Sequence, residues 1–134
     1  MARPERVLLV IDDDAFEAVF IEDANEAVGA FDTVRHMTNG REAVEAIANE
    51  PPSAILLDLR MPGCSGFEVL SLLKERGLLP GLVVTMLFNS ANQADQAEAL
   101  ERGAACYCVK PAGAEGYAFI IEKVRDLIGE RNTG

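Results

Sequence analysis

Ala54-Ile55-Leu56-Leu57-Asp58-Leu59-Arg60-Met61-Pro62-Gly63-Cys64-Ser65-Gly66 is the stretch on which the fold turns. Its first four residues are apolar without a polar break, and read as a strand buried on both faces, as in a parallel sheet. A carboxylate follows where the strand should stop. Pro62 and Gly63 supply the turn, and Ser65-Gly66-Phe67-Glu68 opens a helix, with Ser65 and Glu68 at capping-box spacing. Open parallel sheets bind ligands beyond the carboxyl ends of their strands, so Asp58 stands where a ligand or phosphoryl group would be handled. Taken alone, a capping or solvated aspartate is the plainer reading. The rest of the chain decides.

Outward from this stretch, short apolar runs alternate with helical periods. Arg6-Val7-Leu8-Leu9-Val10-Ile11 is a buried strand ending in Asp12-Asp13-Asp14. Asp14 and Glu17 form a capping box for a helix over residues 15–27, with Phe16, Val19, Phe20 and Ala24 on one face. Residues 31–36 make a shorter, more polar strand towards an edge. Asn39-Gly40-Arg41-Glu42 opens a second helix to residue 49, with Ala43, Val44 and Ile47 inward, and Pro51-Pro52 stops it. After the opening strand, Phe67, Leu70 and Leu73 face the sheet and Gly77 closes the third helix. A fourth strand spans 82–87, and a fourth helix runs from the Asn92/Asp95 cap to Gly103. A fifth strand spans 104–109, followed by Lys110-Pro111. The last helix, 115–128, carries Tyr117, Ile120, Ile121, Val124, Leu127 and Ile128 at helical spacing.

Five βα units in succession, with right-handed crossovers, make an α/β doubly wound parallel sheet with helices on both faces. Strand ends then gather at one edge, bringing together Asp12, Asp13, Asp58 and Lys110 from distant parts of the sequence. Three close carboxylates repel one another unless a cation neutralises them. Hard oxygen ligands with open positions suit Mg²⁺, which keeps several waters and joins carboxylates to a phosphate. Lys110 can act as a point charge on phosphoryl oxygens.

Composition narrows the class. The 134 residues suit one domain spanning 1–134, with a core over about 6–128 and a short tail over 129–134. Apolar residues make up 49% of the chain, which excludes disorder. No apolar run is long enough for a membrane span, and Met1-Ala2-Arg3-Pro4-Glu5 leads into a strand without a signal-peptide core. Three cysteines give no disulfide framework and suit a reducing, cytoplasmic location. A net charge of −10, from 12 Lys and Arg against 22 Asp and Glu, argues against a nucleic-acid surface.

Val10-Ile11-Asp12-Asp13-Asp14, Asn39-Gly40-Arg41-Glu42-Ala43, Leu57-Asp58-Leu59-Arg60-Met61-Pro62 through Gly66, and Gly103-Ala104 through Tyr107 to Lys110-Pro111 together resemble the receiver domains of two-component response regulators, over about residues 6–128. The resemblance implies a flavodoxin-like (βα)5 fold with strand order 2-1-3-4-5. It implies that Asp58 accepts a phosphoryl group from a histidine kinase or phosphotransfer protein. Asp13 would bind Mg²⁺ directly, Asp12 through water, and the Arg60 backbone carbonyl would complete the ligands beside Asp58. Lys110 would contact the phosphoryl group, and the Lys110–Pro111 bond would be cis, which an X-Pro sequence permits.

One position departs from the family pattern. A Ser or Thr is expected 22 residues before Lys110 and 30 after Asp58, and both counts land on Phe88. That hydroxyl normally donates to a phosphoryl oxygen and couples its movement to an aromatic on strand five, here Tyr107. Thr85 lies at an odd offset and points to the other face. Ser90 has the right parity but lies beyond the strand, and Asn89 is bulkier than the small residue usual there. The domain either accepts phosphate and switches by another movement, or holds Tyr107 fixed and acts as a phosphorylation-independent interaction module. Arg60 overhangs the site and would influence the lifetime of the phosphoryl group.

Other features read plainly. Cys106-x-Cys108 offers too few ligands for zinc and reads as two small buried hydrophobes. Cys64 is a loop position, redox-active only if accessible. His36, the only histidine, reads as a strand-end residue and excludes a phosphotransfer histidine pair. The acidic first helix (Glu17, Glu22, Asp23, Glu26) is a solvated face that can also select a partner of complementary charge. With no effector domain after the last helix, a single-domain receiver would act by docking on a downstream target or relaying its phosphoryl group. The family also dimerises through helix four, strand five and helix five. Asp12-x-Asp14 formally resembles the haloacid-dehalogenase phosphatases, which use Mg²⁺ and an aspartyl nucleophile, but Phe16 stands where they place threonine or valine.

Overall fold

The three inner strands of the fold are short apolar runs that helices cover on both faces, and the first four helices each start at a side-chain cap. The computed structural model describes residues 4–133, with side chains described for 4–130, so Met1 to Arg3 lie outside the described residues. The elements in chain order are β1 Val7–Ile11, α1 Ala15–Val28, β2 Thr33–Met37, α2 Gly40–Asn49, β3 Ala54–Asp58, α3 Gly66–Glu75, a 3-10 turn Leu79–Gly81, β4 Val84–Phe88, α4 Gln93–Glu101, β5 Cys106–Val109 and α5 Ala114–Thr133. The five strands are all parallel and ordered β2-β1-β3-β4-β5. This is the flavodoxin-like order expected from the sequence.

β3 sits at the centre, and Ile55, Leu56 and Leu57 are fully buried. Burying each such side chain contributes roughly 1.5–3 kcal/mol. Alternate residues feed two cores. Leu9, Ile11, Ile55, Leu57, Val84, Met86 and Phe88 pack with α2, α3 and α4. Leu8, Val10, Leu56, Val83 and Leu87 pack with α1 and α5. Among the described residues no helix is long and apolar enough to cross a membrane.

The caps at Asn39, Ser65 and Asn92 form as read, each accepting from the backbone N–H three residues on. The box at α1 does not close. Asp14 accepts from the Phe16 N–H, and the Glu17 carboxylate turns to the Tyr117 hydroxyl instead. The inward face of α1 keeps half of the expected stripe: Ala24 is buried and Phe20 packs half-buried against the core, whereas Phe16 is 75% and Val19 49% exposed and Ala18, Ile21 and Asn25 are buried in their place. Helical spacing allowed either stripe, and packing against α5 selected the smaller residues. In α3, Val69, Leu70 and Leu73 are the buried residues, and Phe67 lies at the edge with the Arg102 guanidinium 5.2 Å above its ring.

Strand ends shift for identifiable reasons. Phe31 precedes β2 because Asn25 holds it, donating to the Phe31 carbonyl and accepting from its N–H. Ala104 precedes β5 because its N–H closes the end of α4 on the Ala99 carbonyl. α5 continues to Thr133, so most of the expected tail is helix. No peptide bond among the described residues is cis, so Lys110–Pro111 is trans, against expectation. An X-Pro bond keeps a trans preference of about 0.5–1 kcal/mol, and sequence alone permits both forms.

Candidate functional site

The carboxyl ends of β1, β3 and β5 deliver Asp12, Asp13, Asp58 and Lys110 to one point above the sheet. Asp12 follows β1 directly, its N–H bonded to the Met37 carbonyl at 3.1 Å. Its own carbonyl accepts from His36 Nε2 at 2.7 Å, so the strand-end histidine braces the backbone of the site. Asp58 is the last residue of β3, and the Leu59 N–H bonds the Leu87 carbonyl at 3.1 Å. Lys110 follows β5, its N–H on the Phe88 carbonyl at 2.8 Å. Gly66 closes the loop beneath Asp58; a Cβ there would stand 2.6 Å from the Asp58 carbonyl oxygen, so no larger residue fits.

Asp12 is fully buried and Asp58 is 2% exposed. Asp13 is exposed, and one oxygen from each of the three carboxylates lies within 4.8 Å of the others. The Lys110 ammonium stands 2.9 Å from Asp12 Oδ2 and 3.2 Å from Asp58 Oδ1. Further donors are the Asp14 N–H to Asp12 Oδ1 at 2.9 Å and the Arg60 N–H to Asp58 Oδ1 at 3.4 Å. Burial first, and the Asp12 carboxylate second, push Asp58 from 3.8 up to about 6, with Lys110 opposing the rise. Burial works against the Lys110 ammonium, but its bond to Asp12 and the charges of Asp12 and Asp58 outweigh it and raise its pKa.

These residues fit a divalent cation. Asp12 Oδ2 is buried, and among the described residues it has no polar partner beyond its pairing with the Lys110 ammonium. Three oxygen donors face a single ammonium, so negative charge is left over. An all-oxygen set beside an open face suits Mg²⁺, which retains waters. That face is a cleft of about 620 Å³ lined by Asp13, Arg60, Met61, Ser65, Phe67 and Asp95, among others. Arg60 is exposed and lines that cleft.

Phe88 occupies the end of β4 and is 2% exposed. Its ring meets Tyr107 with centroids 6.1 Å apart at a 46° tilt. The position that would carry a hydroxyl is therefore filled by an apolar contact with the strand-five aromatic. Thr85 lies on the opposite face, buried, and Ser90 lies exposed beyond β4. Cys64 is buried, and burial raises its pKa, so it is a packing residue. Cys106 and Cys108 are only half-buried, less enclosed than their apolar strand suggested.

Tyr117 and Glu17 were not legible as site residues. Tyr117 is fully buried, and its hydroxyl donates to Glu17. Burial, that bond, and the charges of Glu17, Asp12 and Asp58 all push its pKa upward. Helical spacing marked Tyr117 as apolar core; only the need of a buried hydroxyl for a partner signals more.

Comparison with known proteins agrees with this geometry. The family model for the response regulator receiver domain matches residues 8–121. A protein-glutamate methylesterase/protein-glutamine glutaminase of Syntrophomonas wolfei is 31% identical over 110 residues, covering 82% of this chain and 31% of that protein. The chain spans about a third of the length of such curated relatives. The crystal structure of the response regulator domain of Thermotoga maritima CheB is 26% identical with TM-score 0.75, covering 94% of this chain and 98% of that one. Vibrio cholerae chemotaxis protein CheY4 is 21% identical with TM-score 0.78, covering 90% and 99%, and shares the fold.

Proposed function

The chain belongs to the response regulator receiver domain family, and from that membership we propose that it accepts a phosphoryl group on Asp58 from a histidine kinase or phosphotransfer protein. The observation that carries the reading is the convergence of Asp12, Asp13, Asp58 and Lys110 at the strand ends. Mg²⁺, held by Asp12, Asp13, Asp58 and the Arg60 carbonyl, would neutralise the carboxylates and draw charge from phosphoryl oxygens. An Asp58 carboxylate oxygen attacks phosphorus, the new O–P bond forms, and the donor nitrogen keeps the electrons of the broken N–P bond and takes a proton. Lys110, already 3.2 Å from Asp58, then pairs with a phosphoryl oxygen. The protein's share is position and charge, not a turnover cycle. The modified domain would act in the cytoplasm, by docking on a downstream protein or by relay.

A second reading rests on Phe88. Its ring is packed on Tyr107, and it offers no donor to a phosphoryl group. Under this reading the Tyr107 surface is set by packing and its output is independent of phosphate. Incubation with acetyl phosphate and Mg²⁺ separates these readings from each other and from a phosphatase. One phosphoryl group per chain, lost in Asp58→Asn, supports the receiver; no adduct from any donor overturns it. Steady turnover of para-nitrophenyl phosphate would favour the enzyme. Beryllofluoride binding that leaves the amide shifts of α4 and α5 unmoved would favour the phosphate-independent module.

A further inference from the structure

We propose that Phe67 is a specificity residue of the cleft in front of Asp58, and that Arg102 is the positioning residue that holds its ring. The inference rests on phosphoryl transfer to Asp58, and concerns the part of the donor that carries the phosphoryl group in. Phe67 stands in the first turn of α3, where Val69, Leu70 and Leu73 take the core positions and leave its ring half-buried at the edge. From there it lines the cleft with Leu59, Met61 and Pro62, while Asp13 and Asp95 supply the acidic part of the lining. A donor approaching Asp58 therefore meets an apolar wall beside carboxylates.

A ring at the edge of a core is loosely held unless a second contact fixes it, and Arg102 supplies that contact. Its guanidinium stands 5.2 Å from the centroid of the Phe67 ring, within cation–π reach. Its Nη1 donates to the Ser71 hydroxyl at 2.7 Å, and its Nε donates to Glu98 Oε2 at 2.7 Å. Ser71 lies one turn after Phe67 on α3, and Glu98 lies one turn before Arg102 at the end of α4, so two i,i+4 pairs meet between the helices. An exposed i,i+4 ion pair alone contributes little. Here one planar fork serves a carboxylate, a hydroxyl and a ring together, which an ammonium cannot do. Ala99 is the one buried residue of α4, so apolar packing gives this helix little hold and the Arg102 bridge ties its end to α3.

With Arg102 against the ring, the part of Phe67 that lines the cleft is a flat apolar surface held in one orientation. The carrier it suits is a planar heteroaromatic ring, the imidazole of a phosphohistidine or of phosphoimidazole, which can stack on or tilt against a phenyl group. The methyl group of acetyl phosphate is too small to gain from such a wall. Phe67 thus favours one class of donor by orienting the carrier ring, without touching phosphorus or Lys110. Arg102 acts only through Phe67.

The test follows labelling of the folded protein by monophosphoimidazole and by acetyl phosphate, each with Mg²⁺, and takes the ratio of the two rates from intact masses. A ratio is insensitive to a fraction of unfolded chain, which subtracts equally from both rates. Phe67→Leu and Arg102→Met are each expected to lower the phosphoimidazole preference about fivefold, the scale of one aromatic pair. Phe67→Tyr keeps the ring and retains the preference. The double variant falls little below either single one, because the two residues act as a unit. Ser71→Ala, which removes only the hydroxyl, lowers the preference about twofold and decides the matter if Arg102→Met does not fold. An unchanged ratio in Phe67→Leu or Arg102→Met, or losses that multiply in the double variant, overturns the inference and leaves phosphorylation of Asp58 standing. A wild type labelled by neither donor overturns both.

Discussion

Asp58→Asn is expected to stabilise the metal-free protein near neutral pH, although it deletes half of an ion pair. The Asp58 carboxyl titrates at about 6 in the fold and at 3.8 when exposed, because burial and Asp12 penalise its charge more than Lys110 rewards it. Folding thus holds the proton more tightly than the unfolded chain does. The stability this supplies is complete below about pH 3.8 and is lost as pH rises through about 6. A rise of that size corresponds to about 3 kcal/mol of penalty at pH 7.5. Asparagine keeps the shape and an acceptor for the Arg60 N–H, while Lys110 keeps Asp12 at 2.9 Å. Urea unfolding in a chelator should therefore find the variant more stable by about 2–3 kcal/mol at pH 7.5, with the advantage vanishing near pH 4. A variant no more stable than the wild type at pH 7.5 would refute the electrostatic description of the site.

Other perturbations probe separate parts of the molecule. Mg²⁺ at a hundredfold excess over its dissociation constant should stabilise the wild type by about 2.7 kcal/mol in the same assay, and Asp13→Asn should abolish most of that gain. Phe88→Thr removes a buried ring, with an expected loss of about 3 kcal/mol in urea unfolding. It also introduces a donor at the strand end, so acetyl phosphate labelling should quicken by at least about tenfold; an unchanged rate would mean that the hydroxyl is not what the site lacks. Asn25→Ala leaves the Phe31 N–H and carbonyl without their side-chain partners, with an expected cost of about 3 kcal/mol read from the thermal midpoint.

The sheet was legible because its signals are redundant. β3 is apolar at every core position, each crossover helix begins at an Asp, Asn or Ser cap, and the spacing leaves one connection rule to apply. The acidic cluster was legible for the same reason, since strand ends in a parallel sheet share one edge. What could not be read depended on which of two compatible partners a side chain takes. Glu17 suits a capping box, but Tyr117 from the distant α5 offers it a buried hydroxyl. Phe16 and Val19 suit an inward stripe, but close approach of α1 to α5 admits Ala18, Ile21 and Ala24. Asn25 has no pattern at all, because its partners are two backbone groups of a loop that only the folded chain brings within reach. The departure at Phe88 was visible by counting, whereas its packing on Tyr107 is a fact of three dimensions.

The most direct test of the central assignment is to locate the acyl phosphate chemically. After treatment with acetyl phosphate and Mg²⁺, borohydride reduces an aspartyl phosphate to homoserine, which sequencing of the digested chain can place. The expected result is homoserine at position 58 alone, absent without Mg²⁺. Homoserine at position 12 or 13, or none at any position under conditions that label a known receiver, would contradict it.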